Sequence, residues 1–180
     1  MKNIILATAL AGLFSLLCTA NQSSISAQSP QTTETQTTII AVSQVGLGKI
    51  RPAISEQQVR RILGKPTSAK TEYSLGVGDN IRTFQYPNIT LSLVPHLNKP
   101  KDFFVYEFFS RSEKFSTPTG IKVGDTESQV IKAYGKPYIS KDGKITTLVY
   151  VVGSKDSAAS FTFRIESGKV REIQYSEQLI

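Results

Sequence analysis

Apolar residues recur along this chain with two periods, and each period predicts a different element. Phe161, Phe163 and Ile165 alternate with Thr162 and Arg164, the period of two that gives a strand one buried and one wet face. Runs rich in aromatic and β-branched residues predict strands over 82–86, 89–93 and 103–109, and again over 145–152, 159–165 and 169–175. Pro87-Asn88, Asn98 to Pro100, Asp142-Gly143 and Ser167-Gly168 punctuate these runs as turns.

Helical spacing occurs twice. Val59, Ile62 and Leu63 form one apolar stripe, and Val130, Ala133 and Tyr134 form a second. Both stripes are bounded in the same way. Ser55 with Gln58, and Thr126 with Gln129, have capping-box spacing, in which the hydroxyl takes an orphan N–H and the Gln side chain reaches back. Gly64 and Gly135 stand where a left-handed C-terminal residue is expected, and Pro66 and Pro137 forbid continuation. Helices of about two turns are unstable alone and must lie on something.

These stripes belong to a sequence repeat. The segment from Ser55 to Pro66 returns as Thr126 to Pro137, with identity at Glu56/Glu127, Gln58/Gln129, Val59/Val130, Gly64/Gly135, Lys65/Lys136 and Pro66/Pro137. Chance identity of roughly one position in eighteen gives less than one match over that length. The predicted fold class is therefore α+β, a tandem repeat of two units, each a short capped helix packed on a three- to four-stranded antiparallel sheet. The expected organisation is a signal peptide over 1–27, a flexible Gln/Ser/Thr-rich tail over 28–45, one unit over 46–110 and the other over 117–180, with a linker around Ser110 to Thr119. Ile39 to Val42 interrupts the polar tail as a candidate short strand or anchor.

The first residues set the expected compartment. Lys2, the apolar run from Ile4 to Leu17 and the small residues beyond it have the layout of a secretory signal, with cleavage after Ala20 or Ala27. Either cut removes Cys18, the only cysteine, and with it any disulfide, zinc thiolate or cysteine nucleophile. A lipoprotein signal also ends in cysteine, but Leu17 is larger than the residue such a signal wants. Membrane attachment is thus expected only if Cys18 is lipidated. The chain is expected to be exported, to the periplasm or the extracellular space.

From Lys49 onward the formal charge is +7, scattered without a Lys/Arg block, which is read as solvated basic surface and not as a nucleic-acid site. Candidate chemistry is sparse. His96, the only histidine, falls in a turn, and no Gly-x-Ser-x-Gly elbow supplies a triad nucleophile. Asp125 and Glu127 are explained by the favourable field of a helix N-terminus. Gly76 to Asn80 lacks the Lys and Ser/Thr of a phosphate loop and reads as a hairpin turn. No catalytic residue, metal ligand or cofactor is expected.

Phe103 to Phe109 carries the strongest binding signal. In a regular strand Phe104, Tyr106 and Phe108 share one face, and Phe103, Val105, Glu107 and Phe109 share the other. Phe104, Tyr106 and Phe108 are accordingly the candidate partner-binding anchors, with burial between layers as the competing account.

Gly120-Ile-Lys-Val-Gly124-Asp-Thr126, with Val130, Gly135, Pro137, Tyr150, Phe161-Thr-Phe163, Gly168-Lys-Val170 and Ile173, resembles the SmpA/OmlA (BamE-like) envelope domain. The same layout doubled in one chain resembles the β-lactamase inhibitor protein (BLIP-like) architecture. The resemblance implies an exported, non-catalytic protein-binding module of the bacterial cell envelope whose partner is another envelope or secreted protein. The alternative it implies is a secreted proteinaceous inhibitor of a hydrolase. BamE-like proteins are usually lipoproteins with one copy of the domain, and here there are two segments and a poor lipidation signal.

Overall fold

In a computed structural model, residues 38–178 are described. The expected signal peptide and most of the polar tail lie outside them. The chain runs β1 (Ile39–Ile40), α1 (Glu56–Leu63), β2 (Ser68–Ser74), β3 (Asp79–Tyr86), β4 (Ile89–His96), β5 (Lys99–Ser110), α2 (Glu127–Tyr134), β6 (Tyr138–Asp142), β7 (Ile145–Val152), β8 (Ala159–Glu166) and β9 (Lys169–Glu177). The six strand runs expected from the sequence lie within β3, β4, β5, β7, β8 and β9. β2 and β6 were not foreseen.

The expected α+β class, two helix-on-sheet units in tandem, is overturned: the described residues are mostly β, with two short helices on one large sheet. The strands do not form two sheets of three or four strands, each with its own helix. They form one nine-stranded mixed sheet in the order β1-β7-β8-β9-β5-β4-β3-β2, with β6 also on β7. Two pairings make it so. β5 joins β9 antiparallel from Glu107↔Ser176 to Ser110↔Ile173, and Ile39–Ile40 adds a parallel strand to β7. The seam is apolar on its covered face, where Phe108 lies 5.6 Å from Tyr175 and 6.2 Å from Phe161 between ring centroids. Separate sheets would leave two long unpaired edges and bare this aromatic cluster.

Both helices lie on that covered face. The cap hydroxyls of Ser55 and Thr126 accept from the backbone N–H of Gln58 and Gln129, and the Gln side chains return to the cap N–H groups at 2.9 and 2.8 Å. Just before each helix the chain pairs briefly with a strand: Ala53 and Ile54 with Val105, and Gly124 and Asp125 with Val170. Just after each helix a core tyrosine reaches the carbonyl of the glycine that caps it. Tyr86 Oη donates to Gly64 O at 3.1 Å, and Tyr150 Oη donates to Gly135 O at 3.0 Å. Val59, Val130 and Tyr134 are thereby sealed against Phe84, Tyr150, Phe161 and Phe163, while Val45, Leu47 and Ile50 and the segment around Ile121 and Val123 close the margins.

The two glycines share a conformation, but it is not the left-handed helical one expected. Their φ angles are 80° and 84° with ψ of −156° and −163°, a region open essentially to glycine alone. The backbone must turn sharply there to present each carbonyl to its tyrosine. Surroundings differ, however: a Cβ on Gly64 meets nothing within 4 Å, whereas one on Gly135 comes to 2.8 Å from Thr38 Oγ1. Gly64→Ala is expected to cost about 1–3 kcal/mol in backbone strain. Gly135→Ala is expected to cost more, with the excess reduced by Thr38→Gly, as read from urea unfolding of the single and double variants.

Burial pushes the pKa of Tyr150 up, with a smaller contribution from Tyr134, and burial likewise raises those of Tyr134, Tyr86 and Tyr175 above the ordinary value of 10.0. Above that pH the unfolded chain releases phenolic protons that the folded chain retains. Stability from this source is therefore complete below about pH 10 and falls as pH rises further, by up to about 1.4 kcal/mol per pH unit for each such tyrosine. Denaturant midpoints measured between pH 8 and pH 11 should show this alkaline decline, and Tyr150→Phe should make it shallower.

Candidate functional site

The side of the sheet away from the helices is open, and the strand registers define what it displays. One row across the strands reads Gln85, Thr90, Phe109, Gln174, Thr162 and Val149. The next row reads Thr83, Ser92, Glu107, Ser176, Ser160 and Val151. Most of these side chains are half-buried by their neighbours, as expected of a pleated face without a covering layer. Glu107 links the two rows. Its carboxylate accepts from Ser92 Oγ at 3.0 Å and from Gln174 Nε2 at 3.3 Å.

A β-bulge decides which aromatics reach this face. Ser92 pairs with Glu107 and Leu93 with Val105, so Tyr106 is an extra residue between them. It falls where β5 leaves β9 and meets the segment ahead of α1. The bulge shifts the alternation by one position. Phe103, Val105 and Phe108 face the core, while Phe104, Tyr106, Glu107 and Phe109 face outward. The expectation that Phe104, Tyr106 and Phe108 share a face is thus corrected: Phe104 and Tyr106 are on the open side, and Phe108 is fully buried at the seam. Phe109, which simple alternation assigns to the opposite side, takes its place. Tyr106 is held beside Ser92 and Glu107, and its phenol is shifted up by burial and then by the Glu107 charge, against a smaller lowering from the hydrogen bond with Ser92.

Beyond Phe109 lies a charged group without any local signature in the sequence. Glu172, 4% exposed, accepts from Arg111 Nε and Nη2 at 3.2 and 3.1 Å, and its other oxygen lies 3.6 Å from Arg164 Nη1. Arg111 also stands 5.0 Å over the Phe109 ring, which ties this charged group to the aromatic row. A concavity of about 530 Å³ opens beside the start of α1 and is lined by Glu56, Arg60, Arg82, Lys101 and Asp102 among others. Its charges are largely spent on one another. Glu56 pairs with both Arg60 and Arg82, and Arg82 stacks 3.9 Å over Phe103.

The remaining candidates fall at strand ends, in turns and in caps, and His96, expected in a turn, is the last residue of β4. His96 is exposed, with Nδ1 accepting from the Asn98 N–H at 3.2 Å and its ring 5.6 Å from Phe104. Asp125 Oδ2 accepts from the Lys122 N–H in the turn before α2, and Glu127 lies in that helix's first turn. Of Gly76 to Asn80, Gly76 to Gly78 lie in the turn between β2 and β3, and Asp79 and Asn80 open β3. Among the described residues no group of three His, Cys, Asp or Glu is arranged to hold a metal, and no helix is long and apolar enough to cross a membrane.

No family model matches the chain, and no curated protein does. Solved structures to which it is similar include the DUF4309 family protein YjgB of Bacillus subtilis, at 12% identity over 68% of this chain and 78% of that one, with a TM-score of 0.37. They also include the yfeY protein of Escherichia coli, at 14% identity, 78% and 100% coverage and a TM-score of 0.43. A third, from Streptococcus mutans, is provisionally described as a beta-lactamase inhibitor protein and matches at 14% identity, 70% and 83% coverage and a TM-score of 0.27. One of the three carries the inhibitor description, and none carries the SmpA/OmlA name. Likenesses this distant carry no functional argument.

The two faces of β5 should respond differently to truncation. Phe108→Ala removes a buried ring and is expected to cost about 3–5 kcal/mol. Tyr106→Ala and Phe109→Ala should each cost less than about half of that, because their rings remain partly in water. Urea unfolding of the three variants provides the comparison.

Proposed function

We propose that this chain is an exported, non-catalytic protein-binding module of the cell envelope, and that it engages its partner through the open sheet face. One observation carries the reading: the helices, the loops and the segment 45–50 cover one side of the nine-stranded sheet, and the other side keeps Phe104, Tyr106 and Phe109 partly exposed among Ser, Thr and Gln side chains. Aromatic anchors within a hydrogen-bonding surround are the usual composition of a protein–protein contact. The face is also pre-organised, since Glu107, Ser92 and Gln174 already hold one another and little ordering remains to oppose binding.

Export is proposed from the charged start, the apolar run Ile4 to Leu17 and the small residues that follow it. A partner in the envelope or the secreted fraction follows from that compartment. The hydrolase-inhibitor alternative uses the same face on a particular kind of partner, so one experiment addresses both.

Mature protein immobilised and exposed to envelope extract should retain a partner that the Tyr106→Ala/Phe109→Ala variant does not, although the variant keeps the folded circular dichroism spectrum of the parent. Stoichiometric inhibition of a captured hydrolase would assign the inhibitor form. Capture that is identical for parent and variant would sink the open-face reading, and turnover of envelope polymer by the chain itself would sink the non-catalytic one.

A further inference from the structure

The Arg111–Glu172–Arg164 group has more cationic capacity than its internal pairing uses. Glu172 brings one negative charge to two guanidinium groups, and Arg111 and Arg164 remain 61% and 43% exposed. Each arginine carries five N–H donors in a fixed fork. Arg111 spends two on Glu172 and Arg164 directs one at it, so the others are free to point outward. A concavity of about 280 Å³ opens at this spot, where Arg171 and Glu166 join the lining and the five charges sum to +1.

The group is held in place from several directions. Glu172 is opposite Arg164 in the β8–β9 register, beside the bulge that precedes Ile165↔Val170. The Arg111 backbone N–H donates to Asn88 O at 2.8 Å, and its side chain lies over Phe109. A buried carboxylate between two arginines contributes little net stability compared with an apolar substitute, because its desolvation offsets most of the attraction. It does fix both forks at a set spacing on the open face. Fixed forks suit a carboxylate, which takes parallel N–H bonds in its own plane.

We propose that this bracket is a subsite of the docking face that receives a carboxylate, an Asp or Glu side chain of an acidic segment on the partner protein. The inference rests on the open-face reading for its biological setting but is testable without any partner. The probe is immobilised poly-L-glutamate, with polyphosphate in parallel. Removing both arginines alone would strand Glu172, so the test variant is Arg111→Gln/Arg164→Gln/Glu172→Gln, which lowers the net charge by only one. The comparison variant is Lys99→Gln/Lys155→Gln, which lowers it by two at the start of β5 and in the turn before β8.

Circular dichroism of both variants first checks that they are folded. The triple variant should then bind poly-L-glutamate about tenfold more weakly than the parent, while the lysine variant stays within about twofold. Equal losses in the two variants would reduce the effect to net charge and overturn the proposal. Dependence on the bracket for polyphosphate but not for poly-L-glutamate would overturn the carboxylate assignment. The docking reading fails separately, by identical capture of envelope partners by parent and Tyr106→Ala/Phe109→Ala.

Discussion

Phe108 sits fully buried where β5 meets β9, its ring against Tyr175 and Phe161, and four consecutive register pairs hold the two strands together beside it. Everything else about the molecule depends on this seam. Without it β5 and β9 are both edge strands, with unpaired backbone groups and a cluster of rings in water. With it the strands make one surface, the helices share one side of that surface, and the opposite side is continuous from β3 to β7. The cost of exposing the cluster is large compared with the marginal stability of a domain this size. The seam is therefore a condition of the fold and not an added contact.

The helices depend on the sheet in turn. Eight residues cannot sustain a helix by themselves, and the caps satisfy only some of the orphan backbone groups. Each helix is fixed at both ends, by the short backbone pairing before it and by the tyrosine bond to the glycine carbonyl after it. The glycine conformation is what aims that carbonyl. A rigid cover on one side stiffens the sheet, and a stiff sheet keeps Phe109, Glu107 and Gln174 at fixed spacing on the other.

What the sequence made legible was local. Capping residues lie within four positions of one another, so both helices could be read with their ends, and alternating apolar runs marked six strands. β2 and β6 escaped because they are almost wholly exposed, as Lys70, Thr71 and Glu72 or Ser140, Lys141 and Asp142 illustrate, and an uncovered edge strand has no buried face to create alternation. The seam escaped because it joins residues far apart in the chain, with no local signature at Glu107 or Ser176. Duplicated helix segments invited a division into two units that the sheet pairing overrules.

The candidate site was half legible for a related reason. The aromatic richness of 103–109 was plain, but its division between faces turned on Tyr106 being a bulge, which strict alternation does not anticipate. The same irregularity explains how a strand so apolar serves two purposes. Phe103, Val105 and Phe108 close the core, and the extra residue then allows Glu107 and Phe109 to face water together with the polar rows of β8 and β9. A strand without the bulge would place Phe108 outside and Phe109 inside, weakening the seam and removing the ring that Arg111 stacks upon. Binding surface and core are thus coupled through one backbone irregularity, and a substitution that alters it changes both.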